Sequence, residues 1–187
     1  MIRYYMASEK RNVLGPHDDN MYLKKKGIVD LEQMYADIWK WFLNHGYELH
    51  ETDAKTKTPS PMGSEEEIWL HGWRNEDDFT RWHIKLIITI WDSIPVEVMK
   101  NNKPVKMFKC RMRIKFDVHF ELDYERKWDK SRIMVALRKF YIQTIIQRKM
   151  STEGDKFEYE FHELHDLIKK SVGMEAHGDQ YAHYWKN

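Results

Sequence analysis

The chain holds one cysteine in 187 residues, and without a second thiol no disulfide framework can form. Cys110 stands among alternating apolar residues, so it reads as a small core side chain rather than a nucleophile. Glycine is scarce, with eight residues, and there is no GxSxG, no Walker loop, no GxGxxG and no usable Cys-His spacing. Phosphate cradles need glycine so that the backbone can approach, which disfavours a nucleotide enzyme; no cofactor is implied. A run of about 18 apolar residues is missing too, and the opening MIRYYMASEKRN has no apolar leader core, so a cytoplasmic protein with no transmembrane segment is expected. Nor is charge of one sign in excess. With 31 Lys and Arg against 30 Asp and Glu, no global field draws in nucleic acid or an anionic membrane, and such binding would have to come from a local patch.

What is present is enough for one sizeable core: 42% of the residues are hydrophobic and 14% aromatic. Residues 1–27 lack a clear period and read as an irregular arm, with a short strand possible at residues 2–6. Asp30 followed by Gln33 is a capping-box pattern. Behind it Leu31, Met34, Tyr35, Ile38, Trp41 and Phe42 recur at helical spacing until Asn44-His45-Gly46 supplies a left-handed stop. A strand beginning near Tyr47 fades into the loop AKTKTPSPMG. Strands follow at residues 66–73 and 80–91, the latter with Trp82, Ile84, Leu86, Ile88 and Ile90 inward. Asn101-Asn102 then closes a hairpin, since Asn tolerates the positive φ of a two-residue loop. After Trp128, Asp129 can cap a helix whose stripe is Ile133, Ala136, Leu137, Phe140, Tyr141, Thr144 and Ile145. Residues 151–155 break it, and a last helix lines up Phe157, Phe161, Leu164, Ile168 and Val172 before Gly173.

Helix, strands, helix, helix is the order of a two-layer α+β fold: an antiparallel meander of about five strands with one N-terminal and two C-terminal helices packed on one face. The expected organisation is an arm over 1–27, a single domain over 28–173 and a tail over 174–187.

The stretch FKCRMRIKFDVHFELDYER, residues 108–126, separates two faces of a strand. Cys110, Met112, Ile114, Phe116, Val118, Phe120, Leu122 and Tyr124 point one way; the other face runs from Lys109, Arg111, Arg113 and Lys115 into Asp117, His119, Glu121 and Asp123. The hairpin pairs residues whose numbers sum to 203, which would mismatch the faces of the strand before it. A one-residue bulge near Pro95 or Met107 repairs this, the parity switch at Met107 and Phe108 marking its place. At a sum of 204 Arg81 faces Asp123; at 202 Arg81 faces Glu121 and Lys85 faces Asp117. Either register gives the acidic half basic partners. The basic half meets only Thr89 and Trp91, so its compensation comes from Glu65 and Glu67 or from an anionic ligand, nucleic acid included, with Trp91 as a stacking surface.

Trp69, Trp73, Ile87 and Trp91 also fall on this polar side. Large apolar groups on the wet side of a sheet are covered by a tail or by a second copy, so a homo-oligomer through these four residues is the leading expectation. His71, His83 and His119 share the face, where ordinary cross-strand pairing is the plainer reading. His162, His165 and Asp166 on the last helix have spacing that transition-metal sites use, but the HxxH lacks the intervening base of the zinc proteases; a buried helix rim accounts for them equally. Lys24-Lys25-Lys26 ahead of the first helix could meet a membrane surface, although such a helix more often covers a sheet.

The runs YLKKKGIVDLEQMYADIWKWFLNHGYELHE, LRKFYIQTIIQRK and DLIKKSVGMEA are similar to a group of conserved archaeal proteins of unassigned function. The resemblance spans roughly residues 22–176. It implies an archaeal cytoplasmic origin and assigns no site.

Overall fold

The computed structural model describes residues 4–8, 13–16, 21–60, 63–100 and 103–174. Two short strands, β1 (Tyr4–Ser8) and β2 (Val13–Pro16), precede β3 (Tyr22–Val29) and helix α1 (Leu31–Asn44). Then come β4 (Glu48–Ser60), β5 (Gly63–Asn75), β6 (Thr80–Lys100) and β7 (Lys103–Leu122), followed by α2 (Arg132–Tyr141) and α3 (Gln147–Ser171). All pairings are antiparallel. The order runs β1-β2-β7-β6-β5-β4, with β3 sharing with β2 the edge of β7 away from β6. From β3 onward this is the expected α+β plan: five strands, one helix before the meander and two after it.

α1 starts where expected. Asp30 accepts a 3.0 Å hydrogen bond from the Gln33 backbone N–H, and Gly46 adopts φ 71° at the far end. The Gln33 side chain does not close the box; it donates to Asp37. Met34, Ile38, Trp41 and Phe42 pack down on the inner face of the sheet, where Leu70, Trp82, Ile84, Leu86, Ile88, Ile114, Phe116 and Phe120 are buried. Phe157, Phe161, Leu164, Ile168 and Val172 of the α3 end join the same core, and Gly173 terminates the helix with φ 64°. Cys110 is buried on this side. Gly72 belongs to the inner set of β5 because the Phe42 ring lies over it; a Cβ there would come within 2.4 Å of the ring. A part-buried polar knot ties the layers together. Arg74 bonds Glu160 at 3.1 Å and Glu76 at 3.3 Å, donates to the His45 carbonyl at 2.7 Å, and stacks on Tyr47 and Trp82.

Several expectations are corrected. Residues 22–29 are a regular edge strand rather than an irregular arm; Lys25 and Gly27 on its inner side conceal its alternation, and Lys25 reaches the carbonyl of Gly173 at 3.1 Å. The short strand looked for at residues 2–6 is Tyr4–Ser8, and residues 1–3 lie outside the described residues, as do 175–187 of the tail. β4 and β5 run through the supposed loop and pair as far as Ser60 and Gly63. The helical break at residues 151–155 does not occur. α2 and α3 instead join through a π turn, Ile142–Ile146, and the cap of α2 is Ser131, not Asp129.

A further correction concerns which way α2 faces. The stripe read as core is turned outward, with Ile133 75%, Leu137 49%, Phe140 62% and Ile145 47% exposed. Arg138 is buried in its place, held by Asp123 at 3.3 Å and by Asp129, while Ile142 and Ile146 carry the apolar packing. Exchanging one ion-paired arginine for four exposed apolar side chains leaves a surface that an isolated chain gains little from.

Candidate functional site

The hairpin keeps the expected sum of 203 from Lys100↔Lys103 to Ile94↔Lys109, then shifts to 202 at Trp91↔Arg111. The bulge is therefore at Asp92 and Ser93 on β6, not at Met107 and Phe108. Asp92 takes φ 55°, a left-handed conformation that aspartate tolerates better than most residues. Gly63 presses on the bulge, its missing Cβ lying 2.7 Å from the Asp92 backbone. With the sum at 202, Arg81 faces Glu121 and Lys85 faces Asp117, so the acidic half does meet basic strand partners.

The basic half meets more positive charge. β3 pairs with β7 so that Lys24 stands opposite Arg113 and Lys26 opposite Arg111, with Ile28 beside Lys109 and Tyr22 beside Lys115. Like charges directly opposite destabilise a sheet, by an order of roughly 0.2 to 1 kcal/mol per pair. On the β6 side the neighbours are Ile87, Thr89 and Trp91. Of the six cations only Arg111 has an ion pair among the described residues, to Asp92 at 2.6 Å. Glu67, expected to compensate, lies opposite Thr89 on β6 and Lys55 on β4, and accepts from the Trp69 indole at 2.6 Å. Where the bulge parts β6 from β7, Lys26, Lys109 and Arg111 line a pocket of about 750 Å³ with Gly27 and Ile94.

Aromatic rings are interleaved with these charges. Lys24 lies 4.7 Å from the Tyr22 centroid, and the Arg113 guanidinium is 5.5 Å from that of Trp91. Tyr22 is half exposed, and Trp69, facing Ile87 across β5 and β6, keeps 38% of its surface. Trp73 is further along, stacked under His50 at 4.6 Å. The four apolar residues expected on this face are all there, yet they form a seam between charged rows rather than one patch.

The histidines do converge. His50, His71, His83 and His119 stand on β4, β5, β6 and β7 in turn, with His50 opposite His71 and His83 opposite His119. His83 Nε2 lies 3.1 Å from Glu121, and a carboxylate can only accept, so that nitrogen carries the hydrogen. Its Nδ1 is then the acceptor for His71 Nε2–H at 2.9 Å, giving one direction to the chain His71, His83, Glu121. Burial holds His71 down to about 4 and His83 to about 3, with neighbouring imidazoles and Lys85 adding to the effect. Both are neutral at pH 7. The Asp117 carboxyl lies below its usual range, chiefly through its hydrogen bond with His119.

On α3, His162 pairs with Glu158 at 3.6 Å, and His165 sits edge-on to Phe116 with Asp166 at 3.6 Å. Among the described residues no set of three His, Cys, Asp or Glu is arranged to hold a metal ion. No helix among them is long and apolar enough to cross a membrane. Sequence reading missed Tyr22, Lys24, Lys26 and His50 as parts of this face. The alternation of Tyr22, Lys24, Lys26 and Ile28 was the available signal, hidden within a lysine run. No protein-family model matches the chain, and comparison with curated proteins and with solved structures gives no match.

Proposed function

We propose that the outer face of the sheet binds an extended polyanion, with single-stranded nucleic acid the class that fits both its charge and its rings. The observation that carries this reading is the pairing of β3 with β7, which places Lys24 and Lys26 directly against Arg113 and Arg111. A sheet that sets like charges opposite one another, and pairs one cation in six among the described residues, leaves that repulsion for an anionic partner to relieve. Lys109 to Lys115 is a rise of six strand steps, about 20 Å, a track rather than a point. Tyr22, Trp91 and Trp69 beside it can stack on bases, which a duplex does not offer.

The test is fluorescence anisotropy with a labelled single-stranded oligonucleotide and its duplex across a salt series. Engagement of all six cations gives a log–log salt slope of about −4 for a single strand, and Lys24→Glu with Lys26→Glu makes it shallower, about −3, with at least tenfold weaker binding. Absence of binding at low salt, or a double charge reversal without effect, rejects the reading.

Self-association is a second reading, and one observation moves its surface away from the sheet. Trp69, Trp73, Ile87 and Trp91 are divided by charge, whereas Ile133, Leu137 and Phe140 form an uninterrupted exposed stripe on α2. Light scattering of the wild type and of Phe140→Glu separates the two surfaces: a dimer lost on this substitution places the contact on α2.

A further inference from the structure

On the inner face, away from the charged track, lies a second cavity of about 510 Å³ under the first turns of α1. We infer that it binds a small amphiphile, an apolar body carrying a cationic amine. Its volume falls in the range of small-molecule sites, and its walls are largely apolar: Met34 of α1 faces Ile68, Ile88, Ile90 and Phe108 from the sheet. The cavity exists because β5, β6 and β7 continue beyond the point where α1 and α3 cover them. The large side chains of α1 that fill the core come later in the helix, at Ile38, Trp41 and Phe42.

Its polar groups are of one sign. Glu32, Glu51 and Glu66 are the charged residues lining it, with no Lys, Arg or His among the lining residues. Glu66 belongs to the inward set of β5, opposite Ile90 of β6, between positions where the neighbouring residues of that set are Ser64 and Ile68. An apolar residue would satisfy the packing there. Half-buried, the Glu66 carboxylate makes no hydrogen bond or ion pair with any other described residue, and its charge is felt as far as Cys110, whose thiol it helps burial to push up. Glu51 is placed at the rim by the Tyr35 hydroxyl, which donates to it at 2.5 Å. A carboxylate held against apolar walls without a partner is costly, and a ligand that brings an ammonium group recovers that cost. A neutral ligand of the same body fills the cavity without doing so, and an anionic one is repelled. The site is independent of the polyanion track, which lies on the opposite side of the sheet.

Calorimetric titration of the full chain with decylamine, decanol and decanoate tests this directly. Decylamine is expected to bind with one-to-one stoichiometry at least tenfold more tightly than decanol. Glu66→Gln should remove that preference while leaving decanol binding intact. Ile68→Trp, placed on a half-buried wall residue, should abolish binding of both. Glu51→Gln, at the exposed rim, gives a weaker form of the same loss and serves where Glu66→Gln fails to fold by circular dichroism. Equal affinity for decylamine and decanol, full retention of decylamine by both glutamine variants, or binding that survives Ile68→Trp overturns the proposal. So does a folded wild type that binds none of the three.

Discussion

Acid should weaken this fold well before its carboxylates titrate, and the histidine chain supplies the reason. In the unfolded chain His71 and His83 take up protons near their ordinary value of about 6.5, whereas in the fold burial holds them to about 4 and about 3. Between those limits the unfolded state binds more protons than the folded one, so stability falls as pH drops through 6.5 and stops falling near the folded values. At pH 5 each group alone would cost up to about 2 kcal/mol by this linkage. His71 is only half-buried and the two rings share one hydrogen bond, so solvent screening and coupled titration bring the pair to about 2 kcal/mol together. For a chain of this length that corresponds to a melting temperature lower by about 4 to 8 °C at pH 5 than at pH 7.5. Calorimetric or circular-dichroism melts at matched ionic strength measure it. In His71→Gln with His83→Gln the loss should shrink by more than half, since glutamine does not titrate and can still donate to Glu121. His165, also held low by burial, contributes in the same direction, and His165→Gln reports its share. A wild type indifferent to this pH change, or a double variant as sensitive as the wild type, would refute the reasoning.

Other perturbations follow from the same geometry. Gly72→Ala drives a methyl into the Phe42 ring and should cost about 1 to 3 kcal/mol in urea unfolding, unless α1 shifts on the sheet without loss. Arg74→Ala takes the guanidinium from the part-buried Glu160 and Glu76, leaving only the Tyr47 hydroxyl on the first and Lys156 on the second, and should cost about 1 to 3 kcal/mol, with Arg74→Lys recovering part of it. Asp92→Gly keeps the left-handed bulge and frees Arg111, so polyanion affinity should rise severalfold at low salt while the melting temperature holds; unchanged affinity would place the bound anion away from the bulge pocket.

What the sequence determined by itself were features carried by period and local chemistry. The two faces of residues 108–122, the inward set of β6, the cap and stop of α1 and the buried stripe of α3 depend on neighbours a few positions away, and all were legible. The hairpin register next to Lys100 and Lys103 was legible too, as was the need for a bulge beyond it. Tertiary structure decided the rest. β3 shows no clean alternation, since Lys25 and Gly27 occupy its inner side, and only its docking on β7 reveals that four more residues join the basic face. The place of the bulge depends on Gly63 coming against Asp92 from another strand, and the meeting of His50, His71, His83 and His119 depends in turn on that register. The apolar stripe of α2 was visible, but its direction was not. An amphipathic period states which face is apolar, whereas the ion pairs of Arg138 with Asp123 and Asp129, long-range in space and silent in the pattern, decide which face turns inward.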